Sequence, residues 1–198
     1  MKKYKWVIIT LVVLCFVGIG VYQFLRTPTY TINTIKGSYA FDHDDYLYYL
    51  REVDYVFVGK IEKNMGTEYV EEETMETNKT GTPYTKYQVS VSKVLKGDVI
   101  SGETLYVKKL GGISADQKEY YLCEEDNIPE EEKYYIFMAY AQKNGELLVA
   151  GKNSTIPANM KNTTKLGEKI EKIWKKAKQL GDTPREHYKI ERQGRGIK

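Results

Sequence analysis

Two cysteines and two histidines are all that this 198-residue chain holds of the residue types from which disulfide frameworks, metal clusters and most catalytic triads are built. So few cysteines exclude a disulfide scaffold and any multi-cysteine metal site. The histidines, His43 and His187, are far apart in sequence, and neither stands near a serine in a nucleophile-elbow context. No glycine-rich loop suited to cradling phosphate occurs, and Gly111-Gly112 reads as the end of a strand. No internal repeat is evident either. These absences argue against an enzyme and call for no cofactor.

Charge excess is also small. The chain has 30 Lys+Arg against 27 Asp+Glu, a formal net charge of +3. Hydrophobic residues make up 41% and the mean hydropathy is −0.53, values of a globular domain with a sizeable core. The first 26 residues hold four of the basic residues and none of the acidic ones, which leaves residues 27–198 at −1. A near-neutral remainder argues against nucleic acid as a partner.

Those first 26 residues contain the one long apolar run. Lys2, Lys3 and Lys5 precede an uncharged stretch from Trp6 to Leu25, closed by Arg26. Twenty helical residues rise ~30 Å, the thickness of a bilayer's hydrocarbon core. The lysines on the leading side predict a cytoplasmic N-terminus and export of all that follows. An uncleaved signal anchor is the expectation. Cleavage after the small residues Gly18 and Gly20 is the alternative, which would secrete the domain. A lipoprotein is disfavoured, because bulky Leu14 precedes Cys15 and the apolar run before it is short.

The rest of the chain reads as strands followed by one helix. Residues 27–40 form a polar, β-prone spacer. Asp42 is placed to cap a short helix carrying Phe41, Tyr46, Leu47, Tyr49 and Leu50. Strands are expected at Tyr55–Ile61, Tyr84–Leu95, Leu105–Leu110, Tyr134–Ala141 and Leu147–Ala150, with a short extra one at Tyr120–Cys123. Gly59 marks a bulge or close approach. In the second strand Tyr87, Val89 and Val91 alternate with polar residues, and Val94 then falls out of phase. A bulge near Ser92–Lys93 would restore the register and bend the strand. Tyr134–Ala141 (YYIFMAYA) is apolar on both faces, as a strand covered on each side should be. Asn144-Gly145 signals a hairpin.

A helix capped by Thr163 or Thr164 follows, with Leu166, Ile170, Ile173, Trp174, Ala177 and Leu180 on one stripe and Gly181 at its end. Its six lysines against two glutamates, a charge of +4, suit either solvent or an anionic surface. Residues 182–198 read as a flexible tail. Two acidic connections, Asn64–Thr82 and Ala115–Glu132, should stand off the barrel as loops or extended hairpins.

The order of REVDYVFVGKIEK, TPYTKYQVSVSKVLKG, LYVKKLGG, EEKYYIFMAYAQKNGELLVAGKNSTIP and a C-terminal helix resembles the netrin/TIMP-like OB-fold superfamily. More closely, it is similar to membrane-anchored surface proteins of Gram-positive bacteria that carry this barrel. The resemblance spans about residues 50–180. It implies a mainly β fold, a five-stranded Greek-key barrel with a C-terminal amphipathic helix, in a domain covering residues 41–181. TIMP inhibitors set a mature N-terminal cysteine on a protease zinc, and this chain has no counterpart, so the barrel carries over and zinc-directed inhibition does not.

Candidate site residues are few. Asp42, Asp44 and Asp45 flank His43 and supply oxygen ligands of the kind calcium takes, although their spacing is not that of an EF-hand. Capping and the helix dipole account for the same residues. Glu68, Glu71, Glu72, Glu73 and Glu76 make an acidic loop that could serve as an interaction surface. Cys123, beside Leu122, reads as a buried strand residue or a bridging thiol. Eighteen tyrosines, some necessarily facing outward, could form a binding face. The expected function is a membrane-anchored, extracytoplasmic binding or interaction module for a surface protein or cell-wall ligand. A protease-inhibitor-like protein acting through a barrel edge or the acidic loop is the alternative. A surface enzyme and an oligonucleotide binder rank below both.

Overall fold

A computed structural model describes residues 12–15, 30–36, 42–70, 81–158 and 165–190. The chain divides into two units, Met1–Thr31 and Ile32–Lys198. In the first, residues 12–15 are helical. The rest of the span expected at Trp6–Leu25 lies outside the described residues. Among the described residues no helix is long and apolar enough to cross a membrane.

The second unit is mainly β. Strands β1 (Thr31–Ile35), β2 (Tyr55–Val70), β3 (Thr82–Lys96), β4 (Thr104–Ile113), β5 (Glu119–Cys123), β6 (Tyr134–Ala141), β7 (Leu147–Val149) and β8 (Thr155–Ala158) form one sheet, and helix α1 (Tyr46–Glu52) precedes β2 while α2 (Lys165–Leu180) follows β8. Antiparallel pairs join β3 to β4, β3 to β2, β2 to β6 and β6 to β7. A parallel pair between β4 and β7 closes the ring, so five strands make a closed barrel. β5 extends the sheet from β4, β1 lies beyond β5, and β8 pairs with β6 outside the ring.

β6 shows how the sequence builds two cores at once. Tyr135, Phe137, Ala139 and Ala141 point into the barrel, where they meet Phe57, Ile61, Tyr87, Val89, Val107 and Leu147. Ile136 and Met138 point outward, under Tyr49, Leu50 and Val53 of the α1 region and Ile170 and Ala177 of α2. An unbroken apolar strand is therefore what this position needs. Inside the barrel the Phe57 and Phe137 rings stack with centroids 5.1 Å apart, worth about 0.5–1.5 kcal/mol beyond the area they bury.

The bulge expected near Ser92–Lys93 is present. Val58 pairs with Lys93 and Gly59 with Val91, so Ser92 is the extra residue. Gly59 is indeed a close approach. A Cβ there would overlap the Val89 side chain and lie 3.2 Å from the Ser90 carbonyl oxygen.

Several expectations need correction. The helix cap is Asp45 rather than Asp42, because its carboxylate accepts from the backbone N–H groups of Leu47 and Tyr48. The spacer contributes β1, and the Glu124 N–H donates to the Ile35 carbonyl beside it. Asn64–Thr82 needs no correction, since an extended hairpin is one of the two forms expected: β2 runs on to Val70 and β3 starts at Thr82, joined by ladder pairing and by side-chain contacts of Thr67 and Glu68. Gly111-Gly112 lies within β4, where the strand changes partner from β3 to β5. In α2, Ile170 and Ala177 are buried while Leu180 is exposed, since it follows the last turn that faces the sheet. Thr163 and Thr164 lie outside the described residues.

Residues 182–190 do not behave as a tail. The Arg185 guanidinium lies 2.7 Å from Asp54 Oδ2, and His187 Nδ1 lies 2.6 Å from Asp54 Oδ1. The Ile190 N–H donates to the Tyr55 hydroxyl, and Tyr188 and Ile190 pack on the barrel core. Charge complementarity to buried Asp54 holds this segment despite its low apolar content. Residues 191–198 lie outside the described residues.

Candidate functional site

A groove of about 660 Å³ runs over the outer face of β3 and β4, between the turn at residues 100–104 and the hairpin tip at Gly145–Glu146. Strand alternation builds its floor. Leu105, Val107 and Lys109 point inward, so Thr104, Tyr106 and Lys108 point out, and Lys86 of β3 stands opposite Lys108. Tyr106 is 45% exposed, with the Lys86 ammonium 5.3 Å from its ring centroid. Ile100 is exposed at one edge, and Ile190 of the docked C-terminal segment lines the groove as well.

Its charges are balanced in place. Two lysines directly across a ladder repel. Glu68 of β2 answers them, 3.8 Å from Lys86 and 2.9 Å from Lys108, while Glu146 lies 2.8 Å from Lys108. Partial burial pulls the Lys108 ammonium down, but the two carboxylates outweigh it and hold it above the ordinary lysine value. Burial pushes the Glu146 carboxyl up, and Lys108 with Asn144 more than reverses that. The groove thus offers an exposed ring, aliphatic edges and a mutually satisfied set of charges. It suits a ligand with apolar faces and dispersed polar groups better than a highly charged one.

A second polar centre lies inside the barrel end. Lys109 is 3% exposed, and its ammonium reaches both carboxylate oxygens of Asp126 at 2.8 and 2.7 Å, Thr155 Oγ1 at 3.0 Å and Ser154 Oγ at 3.3 Å. The Asp126 side chain is wholly buried, and its Oδ1 accepts from the Asn127 backbone N–H at 2.8 Å. This corrects the reading of Ala115–Glu132 as wholly outside the core. Asp126 is drawn in because a buried ammonium needs a counter-charge.

The aspartates around His43 do not converge. Asp42 Oδ1 accepts from the Asp44 N–H, closing a turn ahead of the helix. Asp44 pairs with Lys152 at 2.8 Å and accepts from the Asn153 amide at 3.0 Å. Asp45 is the cap. The His43 ring stacks on Tyr49, and its Nδ1 bonds the Lys152 carbonyl at 2.8 Å. These contacts pin the start of α1 to the turn at residues 151–153. Among the described residues no group of three or more His, Cys, Asp or Glu side chains is placed to hold a metal.

Of the acidic candidates, Glu68 belongs to β2 and neutralises the groove lysines, so it is not a loop residue awaiting a partner. Glu71, Glu72, Glu73 and Glu76 lie outside the described residues. Cys123 is buried, as its apolar neighbourhood suggested. Among the tyrosines, Tyr55, Tyr87, Tyr120 and Tyr135 are core residues, and burial pushes the Tyr55 hydroxyl up to about 12.

Sequence reasoning missed Tyr106 and the groove. The signal was present in the alternation of Leu105 and Val107 about an aromatic residue that must then face water. Lys109 shares the phase of Leu105 and Val107, but its charge argues for the surface, so phase alone does not place it. No protein-family model and no curated protein matches the chain.

Proposed function

We propose that this chain is an extracytoplasmic binding module of OB/netrin-like type, tethered by the apolar segment Trp6–Leu25, and that it takes its ligand in the groove over β3 and β4. The observation that carries this reading is the coincidence of an exposed aromatic, Tyr106, with a concave surface bounded by the β6–β7 hairpin. In OB-type barrels the second and third ring strands and the loop joining the last two form the ligand face. The ring order β2-β3-β4-β7-β6, closed by one parallel pair, supports taking β3 and β4 as the counterparts of those strands. The tether rests on the length of the apolar run and the leading lysines.

The balanced charge of the groove favours a wall glycan or a protein segment over single-stranded nucleic acid, which needs a basic track. The inhibitor alternative loses part of its support, because Glu68 is committed to Lys86 and Lys108. A pull-down from solubilised membranes tests the reading with three chains: wild type, Tyr106→Ala and a deletion of residues 71–81. Loss of the bound species in Tyr106→Ala alone supports the groove. Loss in the deletion alone transfers the function to the acidic loop and overturns it. Protease shaving of intact cells tests the topology, and protection of residues 27–198 would refute the export.

A further inference from the structure

The Lys109–Asp126 pair has no part in the groove, although Lys109 adjoins Lys108 in sequence. Its ammonium nitrogen lies 2.7 Å and 2.8 Å from the two oxygens of one carboxyl group, so the nucleophile and the carboxyl group it would attack are in direct contact. Both side chains are sealed, at 3% and 0% exposure. We propose that Lys109 and Asp126 condense to an intramolecular isopeptide bond, a self-catalysed cross-link between β4 and the segment that follows β5.

The chemistry balances without an outside reagent. The neutral amine attacks Cγ of the protonated carboxyl group to give a tetrahedral intermediate. The nitrogen loses a proton, one carboxyl oxygen leaves as water, and a Nζ–Cγ amide remains. No atom is oxidised or reduced. The reactive form is the neutral pair, and burial, the largest influence on each group, favours it by pushing the Lys109 ammonium down and the Asp126 carboxyl up.

The surroundings supply what the step needs. The Asn127 backbone N–H points at Asp126 Oδ1 and would stabilise negative charge developing there. The leaving carboxyl oxygen lies within 2.8 Å of Nζ and can take the amine proton directly, while Thr155 Oγ1 accepts from Nζ at 3.0 Å and holds the nitrogen in place. Holding amine and carboxyl group together lowers the barrier to condensation, since well-aligned intramolecular pairs react with effective molarities of ~10⁵–10⁸ M. Exclusion of water opposes the reverse hydrolysis. An ordinary buried ion pair would share the distances but not the product.

Peptide mapping of the full chain, purified in detergent and digested after lysines, decides the matter. The expected result is a branched peptide joining the segments around Lys109 and Asp126, one water lighter than their sum, that survives boiling in denaturant. Lys109→Arg and Asp126→Ala should each return to the mass of the unlinked sequence. Absence of the branched peptide from folded wild-type protein overturns the proposal. So does a water loss that persists in Lys109→Arg, which would mark an imide at Asp126. The wild-type map decides by itself if either variant fails to fold.

Discussion

Lys108 and Lys109 are adjacent in sequence and occupy different physical worlds. Lys108 faces the groove, where Glu68 and Glu146 attend it and water screens all three. Lys109 faces the barrel interior, where Asp126, Ser154 and Thr155 are its surroundings and water is excluded. The period of two along a strand is the whole cause of the difference. What it teaches is that the environment, and not the residue type, sets what a lysine does. The outer one tunes a surface, and the inner one holds a sealed, reactive contact.

The largest test removes the inner counter-charge. Asp126→Ala removes the cross-link and also leaves the Lys109 ammonium buried without a counter-charge, and the second effect by itself costs about 3–5 kcal/mol. In a chain of this size that is a drop in Tm of roughly 6–20 °C. Calorimetry on both variants makes the comparison, because Glu146→Ala beside Lys108 should cost under about 1 kcal/mol. Equal losses would show that the two lysines are less different than their burial implies.

An intermediate case sharpens it. Asp54 has a side chain 4% exposed, but its partners Arg185 and His187 are about one-quarter exposed. Its Oδ2 also accepts from the Ala141 backbone N–H at 2.8 Å. Asp54→Ala should therefore cost about 1–3 kcal/mol, chiefly through the Ala141 N–H left unsatisfied. Residues 182–190 should lose their hold together. Hydrogen exchange would show faster exchange at the Ile190 amide, whose acceptor is the Tyr55 hydroxyl. Unchanged protection there would mean that Tyr188 and Ile190 hold the segment by apolar contact alone.

The same contrast explains how far the sequence could be read. β6, with its two apolar faces, and the bulge at Ser92 were legible because each is a violation of simple alternation, and only a covered strand or an extra residue repairs it. The stripe of α2 was legible by its period. Lys109 was harder, because its phase says inward and its charge says outward, and only a partner decides between them. That partner, Asp126, sits among eight acidic residues in Ala115–Glu132 with nothing local to single it out. β8 and β1 were missed because four or five residues paired through backbone groups leave little side-chain pattern. The parallel closure of β4 on β7 is a long-range pairing that no local window contains.

A smaller effect probes the outer face alone. Glu68→Ala would leave Lys86 and Lys108 opposed across the ladder with only Glu146 in attendance. The expected loss is about 0.2–1 kcal/mol, larger at low salt and fading as salt screens the lysines. Denaturant midpoints at two ionic strengths measure it. A loss that does not depend on salt would point to packing of the Glu68 stem, and the groove would then be less open to solvent than Lys109's surroundings suggest by contrast.

The smallest effect is in pH. The folded state holds the Glu146 carboxyl below its ordinary value of 4.5, so it gives up its proton more readily folded than unfolded. Its contribution is therefore complete above that value and is lost as pH falls through the lowered folded value. Exposure of the pair keeps the size within the about 0–1 kcal/mol of a screened surface bridge. Glu146→Gln should thus melt slightly below wild type at neutral pH, and the gap should close as the pH is taken well below 4.5. Asp126 gives the opposite sign, because burial raises its carboxyl and a lone titrating group there would favour the folded state at low pH. An isopeptide-linked Asp126 has no proton to exchange, so the acid limb of the melting curve should carry the outer-face sign alone. An acid-side rise in stability that disappears in Asp126→Ala would instead reveal a titrating inner pair.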